Sequence, residues 1–501
     1  MRRSLRVVLA TVACLSLPAC GSTVVGGGVS GAPVSPSQDG LSINSTIAGG
    51  GAASVSAPDA VGATGSTGGA ATGPGGAAPG GAAATAQPGI PGAAGGGPVS
   101  TGSKLPPIQI GTYYLNGGNA ALAAAGFAGL VIPDNKPVFD AFVKYANAHG
   151  GFGGRRIEPV YYQYNEGQDP HAQDAAACAT YTQDHHVFLV VGGINSGAGD
   201  LLPCLAKHDV PLFSAATQGD QRYFEQYHRY AYEPDELNLT SGLQLLIASL
   251  KARGYLASVH NVGVVQYPGA VYDNAVTDGL VPALTSVGLK LKDRVTASST
   301  TDNSAIASAA TNAELRFSSE GVDLVVFVTP GGAAETYFMN DAQTQGYKPK
   351  YGIWSADSPF VMAKTAPAAQ LAGSIGVGYL PGLDVASGQD PTAGTPAAKS
   401  CLALGRTMHL DESGLGNALI RTSCDVFFTL QRAMRSTASA TTSTVAFEQA
   451  INAIGSSYSP ASTFAIRWLR DHHDAAAGYR DLLYDSGCSC FTYSGPTRLM
   501  P

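Results

Sequence analysis

Two short hydroxyl-bearing turns hold the residues best placed to do chemistry. Gly192-Gly193-Ile194-Asn195-Ser196-Gly197 follows the apolar run Val187-Phe188-Leu189-Val190-Val191, and Ser214-Ala215-Ala216-Thr217 follows Val210-Pro211-Leu212-Phe213. Apolar runs of this kind read as buried parallel strands. The turn at the C-terminal end of such a strand is where open α/β sheets bind ligands. Ser196 and Thr217 are the hydroxyl-bearing residues of these turns. Caps and anion sites share geometry, so both residues also read as N-caps without a ligand. Farther along, Asp357 follows an extended run at 351–354, and Tyr272 sits in Pro268-Gly-Ala-Val-Tyr-Asp. Asp357 reads equally as a helix cap beside Pro359.

Other chemistry finds little support. Asp471-His472-His473-Asp474 has metal-binding residue types. Neighbouring histidines project apart on a strand and lie about 100° apart on a helix, so this segment reads as a solvated loop. There is no G-x-S-x-G, H-E-x-x-H or Walker loop, so no hydrolase, metalloprotease or nucleotidase signature points to an enzyme, and no cofactor is expected. The net charge of −7 leaves no nucleic-acid footprint.

The elements that must position these turns are organised around 146–157, Ala-Asn-Ala-His-Gly-Gly-Phe-Gly-Gly-Arg-Arg-Ile. Upstream, Val138, Phe139, Phe142, Val143 and Ala146 fall at helical spacing on one face. Asp134 or Asn135 can cap that helix, with Pro137 in its first turn. Gly150 and Gly151 supply the positive φ that ends it. An extended run from Ile157 completes a βαβ unit, which seeds a parallel sheet. The chain continues as strands alternating with helices: helices at 169–184, 201–207, 237–253, 272–287, 304–316 and 333–345, and strands at 108–115, 262–265, 322–328 and 351–354. Helices near 397–408, 420–435 and 447–454 and an extended run at 479–493 follow. About 400 residues in this pattern predict an α/β protein of two parallel-sheet lobes.

The helix end N-A-H-G-G-F-G-G-R-R-I, followed by a strand and then Asn165 and Asp169, resembles the first lobe of branched-chain amino-acid-type periplasmic binding proteins. These are the type I solute receptors of ABC importers. The resemblance implies two lobes joined by three crossings, placed near 235, 381 and 458. Lobe 1 would hold 105–235 and 382–458, and lobe 2 would hold 236–381 and 459–501. It implies a small polar ligand, an amino acid or a related molecule, held between the lobes and passed to a membrane permease. The ligand carboxylate would meet Ser196, Ala215 and Thr217; Asp357 would receive its ammonium group, and Tyr272 matches a tyrosine that opens a second-lobe helix. The family's aromatic after the strand at Val328 is replaced by Thr329-Pro330-Gly331-Gly332-Ala333. A sensory receptor without transport, or an enzyme on the same scaffold, stays open at this point.

The first 20 residues read as a targeting segment. Arg2, Arg3 and Arg6 precede an apolar stretch at 7–17 that is too short to span a bilayer stably. Leu17-Pro18-Ala19-Cys20-Gly21 matches the lipobox of bacterial lipoproteins, which makes Cys20 the lipidated residue and the membrane a partner through that lipid. The chain would then be exported and anchored on the outer face of the membrane. Residues 21–104 are Gly, Ala, Ser, Pro and Thr with almost no charge, and read as a flexible tether with a reach on the order of 50 Å. Beyond Cys14 and Cys20, six cysteines in an exported domain suggest disulfides among fifteen possible pairings. Strand order 2-1-3-4 with right-handed crossovers sets the helices of Cys178 and Cys204 side by side, and Cys401 and Cys424 lie on consecutive helices. Cys488-Ser-Cys490-Phe491 resembles a C-x-C-F pattern near the end of similar receptors, which implies a bridge between Cys488 and Cys490, although its ring is small.

Overall fold

The Gly-Gly-Phe-Gly-Gly turn sets the first lobe. The helix Asn135–Ala148 starts at Asp134, whose carboxylate accepts from the Lys136 N–H at 2.9 Å. It stops because Gly150 and Gly151 take φ values of +95° and +58°. Reversal of the chain drives Phe152 fully into the core, where its ring meets Phe427, itself stacked on Phe142 at 5.3 Å. Gly153 is constrained twice: its φ is +57°, and a Cβ there would lie 2.6 Å from Thr441 Cγ2 and 2.9 Å from the Met434 carbonyl oxygen. Arg155 then clamps the neighbourhood, donating to the carbonyls of Pro106, Pro107 and Thr441.

The structure, a computed structural model, describes residues 105–124, 131, 134–165, 167–192, 199–214, 219–436 and 441–500. The signal segment with Cys20, the 21–104 tether, Ser196, Ala215 and Thr217 lie outside the described residues.

Two sheets organise the chain. The first contains β1 (Ile108–Asn116), β2 (Ile157–Asn165), β3 (Leu189–Val191), β4 (Leu212–Phe213) and β5 (Ala231–Tyr232), in the order β2-β1-β3-β4-β5 and parallel throughout. The second contains β6 (Val262–Gln266), β7 (Leu291–Thr296), β8 (Leu324–Val328), β9 (Lys350–Trp354), β10 (Ile375–Gly378), β11 (Gly478–Asp485) and β12 (Cys490–Leu499). Its order is β12-β11-β10-β9-β8-β6-β7; β11 and β12 run antiparallel on one edge and the rest is parallel. Helices cover both faces of each sheet, as a parallel sheet requires. One face of the first sheet buries Phe139, Phe142 and Phe152 against Phe427 and Phe447 from the later helices. The other face buries Tyr181, Leu205 and Phe224. After β5, after β10, and again before β11, the chain passes from one sheet to the other, giving three crossings between the lobes.

Three features depart from the sequence pattern. Residues 118–124, part of the Gly- and Ala-rich stretch 117–129 that has no clear period, form a short helix. β10 went unrecognised because Ile-Gly-Val-Gly has little strand signal; Gly376 is needed where a Cβ would sit 1.5 Å from the Ile353 carbonyl oxygen. The extended run at 479–493 is a hairpin, reversing at 486–489 with Ser489 at φ +51°. The cysteines pair as Cys178–Cys204, Cys401–Cys424 and Cys488–Cys490.

Phe152→Ala is expected to destabilise the protein by about 3–5 kcal/mol in chemical denaturation, because the turn geometry leaves the emptied space unable to collapse. A loss below ~1 kcal/mol would show that Phe152 does not organise the lobe.

Candidate functional site

In the first lobe, the C-terminal ends of β1, β3 and β4 converge. Tyr113 hydrogen-bonds Ser214, and burial raises the tyrosine hydroxyl well above its usual range. Gly192 allows the approach, since a Cβ there would lie 2.3 Å from the Tyr113 hydroxyl oxygen and 3.0 Å from Ser214 Oγ. Asn135 donates from Nδ2 to the Tyr113 carbonyl at 3.0 Å, fixing the start of its helix over the end of β1. In sequence, Gly192 and Ser214 directly precede the undescribed segments that hold Ser196, Ala215 and Thr217.

In the second lobe, Tyr267 directly follows β6, and Tyr272 lies on the next short helix, Ala270–Asn274. The two rings meet edge-on at 5.6 Å. Tyr272 is half-buried, and that burial raises its hydroxyl to about 12. Asp357 closes a single tight turn after β9; it is fully buried, and its Oδ2 accepts from the Trp354 N–H at 3.0 Å. The following helix, Pro359–Thr365, is capped at Ser358, so Asp357 is not its N-cap residue. Asp357 Oδ1 has no hydrogen-bond partner among the described residues. Burial, then the neighbouring Glu335, holds the Asp357 carboxyl well above the usual range. Glu335 is also fully buried, accepts from Thr329 Oγ1 at 2.8 Å and is raised to about 8 by burial. Glu335 is not evident from the sequence, because nothing in a helical glutamate signals burial.

The lobes touch beside these positions. Asp220 caps the helix Gln221–Gln226 by accepting from the Tyr223 N–H at 3.0 Å, and the Gln221 N–H donates to Thr240 Oγ1 of the lobe-2 helix Leu239–Ala252 at 3.3 Å. Arg222 pairs with Asp278 at 2.6 Å. The segment that follows Thr217 therefore rests on the element that carries Tyr272.

The crossings form a small ladder. Glu233 donates its N–H to the His473 carbonyl at 2.8 Å, and Ala475 donates to the Glu233 carbonyl at 2.8 Å. Asp474 Oδ2 accepts from both the backbone N–H and the Nδ2 of Asn238, each at 2.8 Å. Thr463 Oγ1 donates to the Tyr379 carbonyl at 2.6 Å, pinning the second crossing to the third. The reading of 471–474 as a solvated loop is thus corrected. His473 is fully buried, stacks on Tyr232 at 4.5 Å and bonds Asn452 through Nε2 at 2.8 Å. Its burial lowers its pKa to about 4, so it is a neutral structural group and not half of a metal cluster. A second acid, Asp384, takes Oδ2 bonds from Ser355 Oγ at 2.8 Å, from the Leu380 N–H at 3.1 Å and from the Tyr493 hydroxyl.

Comparison with known proteins agrees with this architecture. The periplasmic binding protein family model matches residues 121–400, and the chain belongs to that family. The two-lobe fold is that of the type I solute-binding proteins, as the 146–157 stretch implied. A solute-binding protein of an ABC transporter from Rhodopseudomonas palustris BisB5, in complex with 3,4-dihydroxybenzoic acid, superimposes with a TM-score of 0.55 at 11% identity, covering 78% of this chain and 97% of that one. A substrate-binding protein of an ABC transporter from Aeropyrum pernix gives 0.60 at 12% identity, covering 79% and 96%. A branched-chain amino acid ABC transporter protein from Thermus thermophilus with bound valine gives 0.56 at 16% identity, covering 79% and 97%. At these identities the likeness is one of fold. Among curated proteins no sequence matches this chain. No helix among the described residues is long and apolar enough to cross a membrane.

The buried acids predict a pH dependence. Burial raises Asp384 from 3.8 to about 7 and Asp235 from 3.8 to about 6. The folded protein therefore keeps protons that the unfolded chain releases near pH 4. The stability these acids contribute is complete below that pH and is lost as pH rises towards 7. Between pH 5 and 8, wild type is expected to lose about 3 kcal/mol more in urea denaturation than Asp384→Asn. Equal slopes would show that Asp384 is ionised in the fold.

Proposed function

We propose that the chain is an exported, lipid-anchored receptor that captures a small polar solute between its lobes and delivers it to an ABC importer. It is a binding protein and not an enzyme. The solute is an amino acid or a related small carboxylate: the relatives with known ligands hold valine or 3,4-dihydroxybenzoic acid, which share that group. Ser196, Ala215 and Thr217 receive the carboxylate on the first lobe. Tyr272 packs over the solute from the second lobe, and Asp357 faces its ammonium group. Lobe 1 comprises 105–235 and 382–458; lobe 2 comprises 236–381 and 459–501. Cys20 carries the lipid, and 21–104 is the tether that lets the receptor reach its permease.

The observation that carries this reading is the inter-lobe ion pair between Arg222 and Asp278 at 2.6 Å. It joins the helix that follows Thr217 in sequence to the turns that directly continue the Tyr272 helix, so a solute on one lobe would meet the other. Closure would follow from tighter binding of the solute to the closed form, the only way a ligand can shift such an equilibrium.

Thermal-shift and calorimetric titration of the purified chain with the amino acids and with hydroxybenzoates tests it. One chemical class is expected to stabilise the protein by about 2.7 kcal/mol at a hundredfold excess over Kd. Thr217→Val should weaken that ligand about tenfold, the worth of one hydrogen bond to a charged group. Absence of any response across the panel would contradict the ligand class. Separately, Cys20→Ser should abolish incorporation of labelled palmitate and release the protein from membranes; unchanged labelling would refute the anchor.

A further inference from the structure

A cavity of about 110 Å³ lies under the first two crossings, beside the end of β3. Its walls are apolar, with Phe139, Leu380, Leu383 and Phe427 among them. Its polar residues include Asp235 and Glu236 of the first crossing, each 3% exposed. Asp235 is partly satisfied, because Thr422 Oγ1 donates to its Oδ2 at 2.7 Å. Glu236 is different: its Oε2 is buried and has no hydrogen-bond partner among the described residues. None of the residues lining the cavity is basic. The groups acting on Glu236 are Asp235 and Asp384, both acids, and it in turn bears on the Tyr379 hydroxyl.

An unpartnered carboxyl in an apolar cavity is expensive unless something meets it. Left empty, burial and the two neighbouring acids push the Glu236 carboxyl well above its usual range, so it keeps its proton. A cation placed against it would reverse that balance and relieve the repulsion from Asp235. An engineered apolar cavity of about 150 Å³ holds benzene, so this space suits a body of about four or five heavy atoms. We propose that the cavity binds a small aliphatic amine whose ammonium group rests against the Glu236 carboxylate, with its carbon chain between Phe139, Leu383 and Phe427. The residues involved are distinct from those proposed to hold the solute, and the inference does not depend on that reading. Binding converts the protonated carboxyl to a carboxylate paired with the ammonium and releases the carboxyl proton to solvent.

The test uses the full chain and n-butylamine, with 1-butanol and butanoate as matched controls, in calorimetry at pH 7 in two buffers of different ionisation enthalpy. Saturable binding of n-butylamine, at least tenfold tighter than either control, is expected, with an observed enthalpy that changes between buffers as a proton is released. Glu236→Gln should erase the buffer dependence and the preference over 1-butanol. Ser423→Leu, which fills the cavity from the helix Gly416–Ser436, should abolish binding and provides a second route if Glu236→Gln does not fold. Thr217→Val should leave amine binding unchanged. No saturable binding of n-butylamine, binding that survives Ser423→Leu, or binding lost with Thr217→Val would each overturn the proposal; the last would place the amine in the solute cleft.

Discussion

The fold depends on the Asp474 carboxylate and the backbone ladder beside it. Where the first and third crossings run side by side, Asp474 holds Asn238 twice while Glu233 exchanges bonds with His473 and Ala475. Each crossing strand would otherwise bury backbone N–H and carbonyl groups without partners, at a cost of about 1–3 kcal/mol apiece. Pairing the crossings with one another removes that cost and leaves a narrow, well-specified joint between two independently packed sheets. The second crossing enters the same joint through Thr463 and Tyr379. Asp425, on the lobe-1 helix Gly416–Ser436, braces the third crossing by accepting from Tyr458, Ala461 and Ser462. A joint built this way can bend by small backbone rotations while each lobe keeps its core, which is the mechanical requirement for hinge closure.

Buried acids gather at this joint and in the second lobe beside it. Glu233, Asp235, Glu236, Asp357, Glu335 and Asp384 are all nearly or fully buried. Water satisfies carboxylates well, and the protein replaces it with donors only in part, so the balance tips towards protonation for Asp235, Glu335 and Asp384. Such groups are poised: the arrival of a cation or the loss of a neighbour changes their charge without moving the backbone.

Much of this architecture was legible in the sequence, for identifiable reasons. The helix at 135–148 announced itself by Val138, Phe139, Phe142 and Val143 at one helical spacing and by the glycines that end it, and these local signals are strong. Strands such as β8, an unbroken apolar run, were equally plain. β10 was not, because its glycines are demanded by the close approach of β9, a tertiary fact with no local signature. His473 was misread for the same reason: a histidine in a polar quartet looks solvated until Tyr232 and Asn452 close over it. At the candidate site, Tyr272 and Asp357 come from the family resemblance and not from any local signal. Glu335 and Glu236 could not be named from the sequence, because what distinguishes them is burial without a full set of partners.

The central claim is that one solute spans both lobes. The most direct measurement is a crystal structure of the protein grown with the ligand that stabilises it most. The account predicts density between the lobes, with a carboxylate on the Ser196 and Thr217 turns and the rest of the solute against Tyr272 and Asp357. Ligand density on one lobe alone, or turns at 196 and 217 that face away from Asp357, would contradict it.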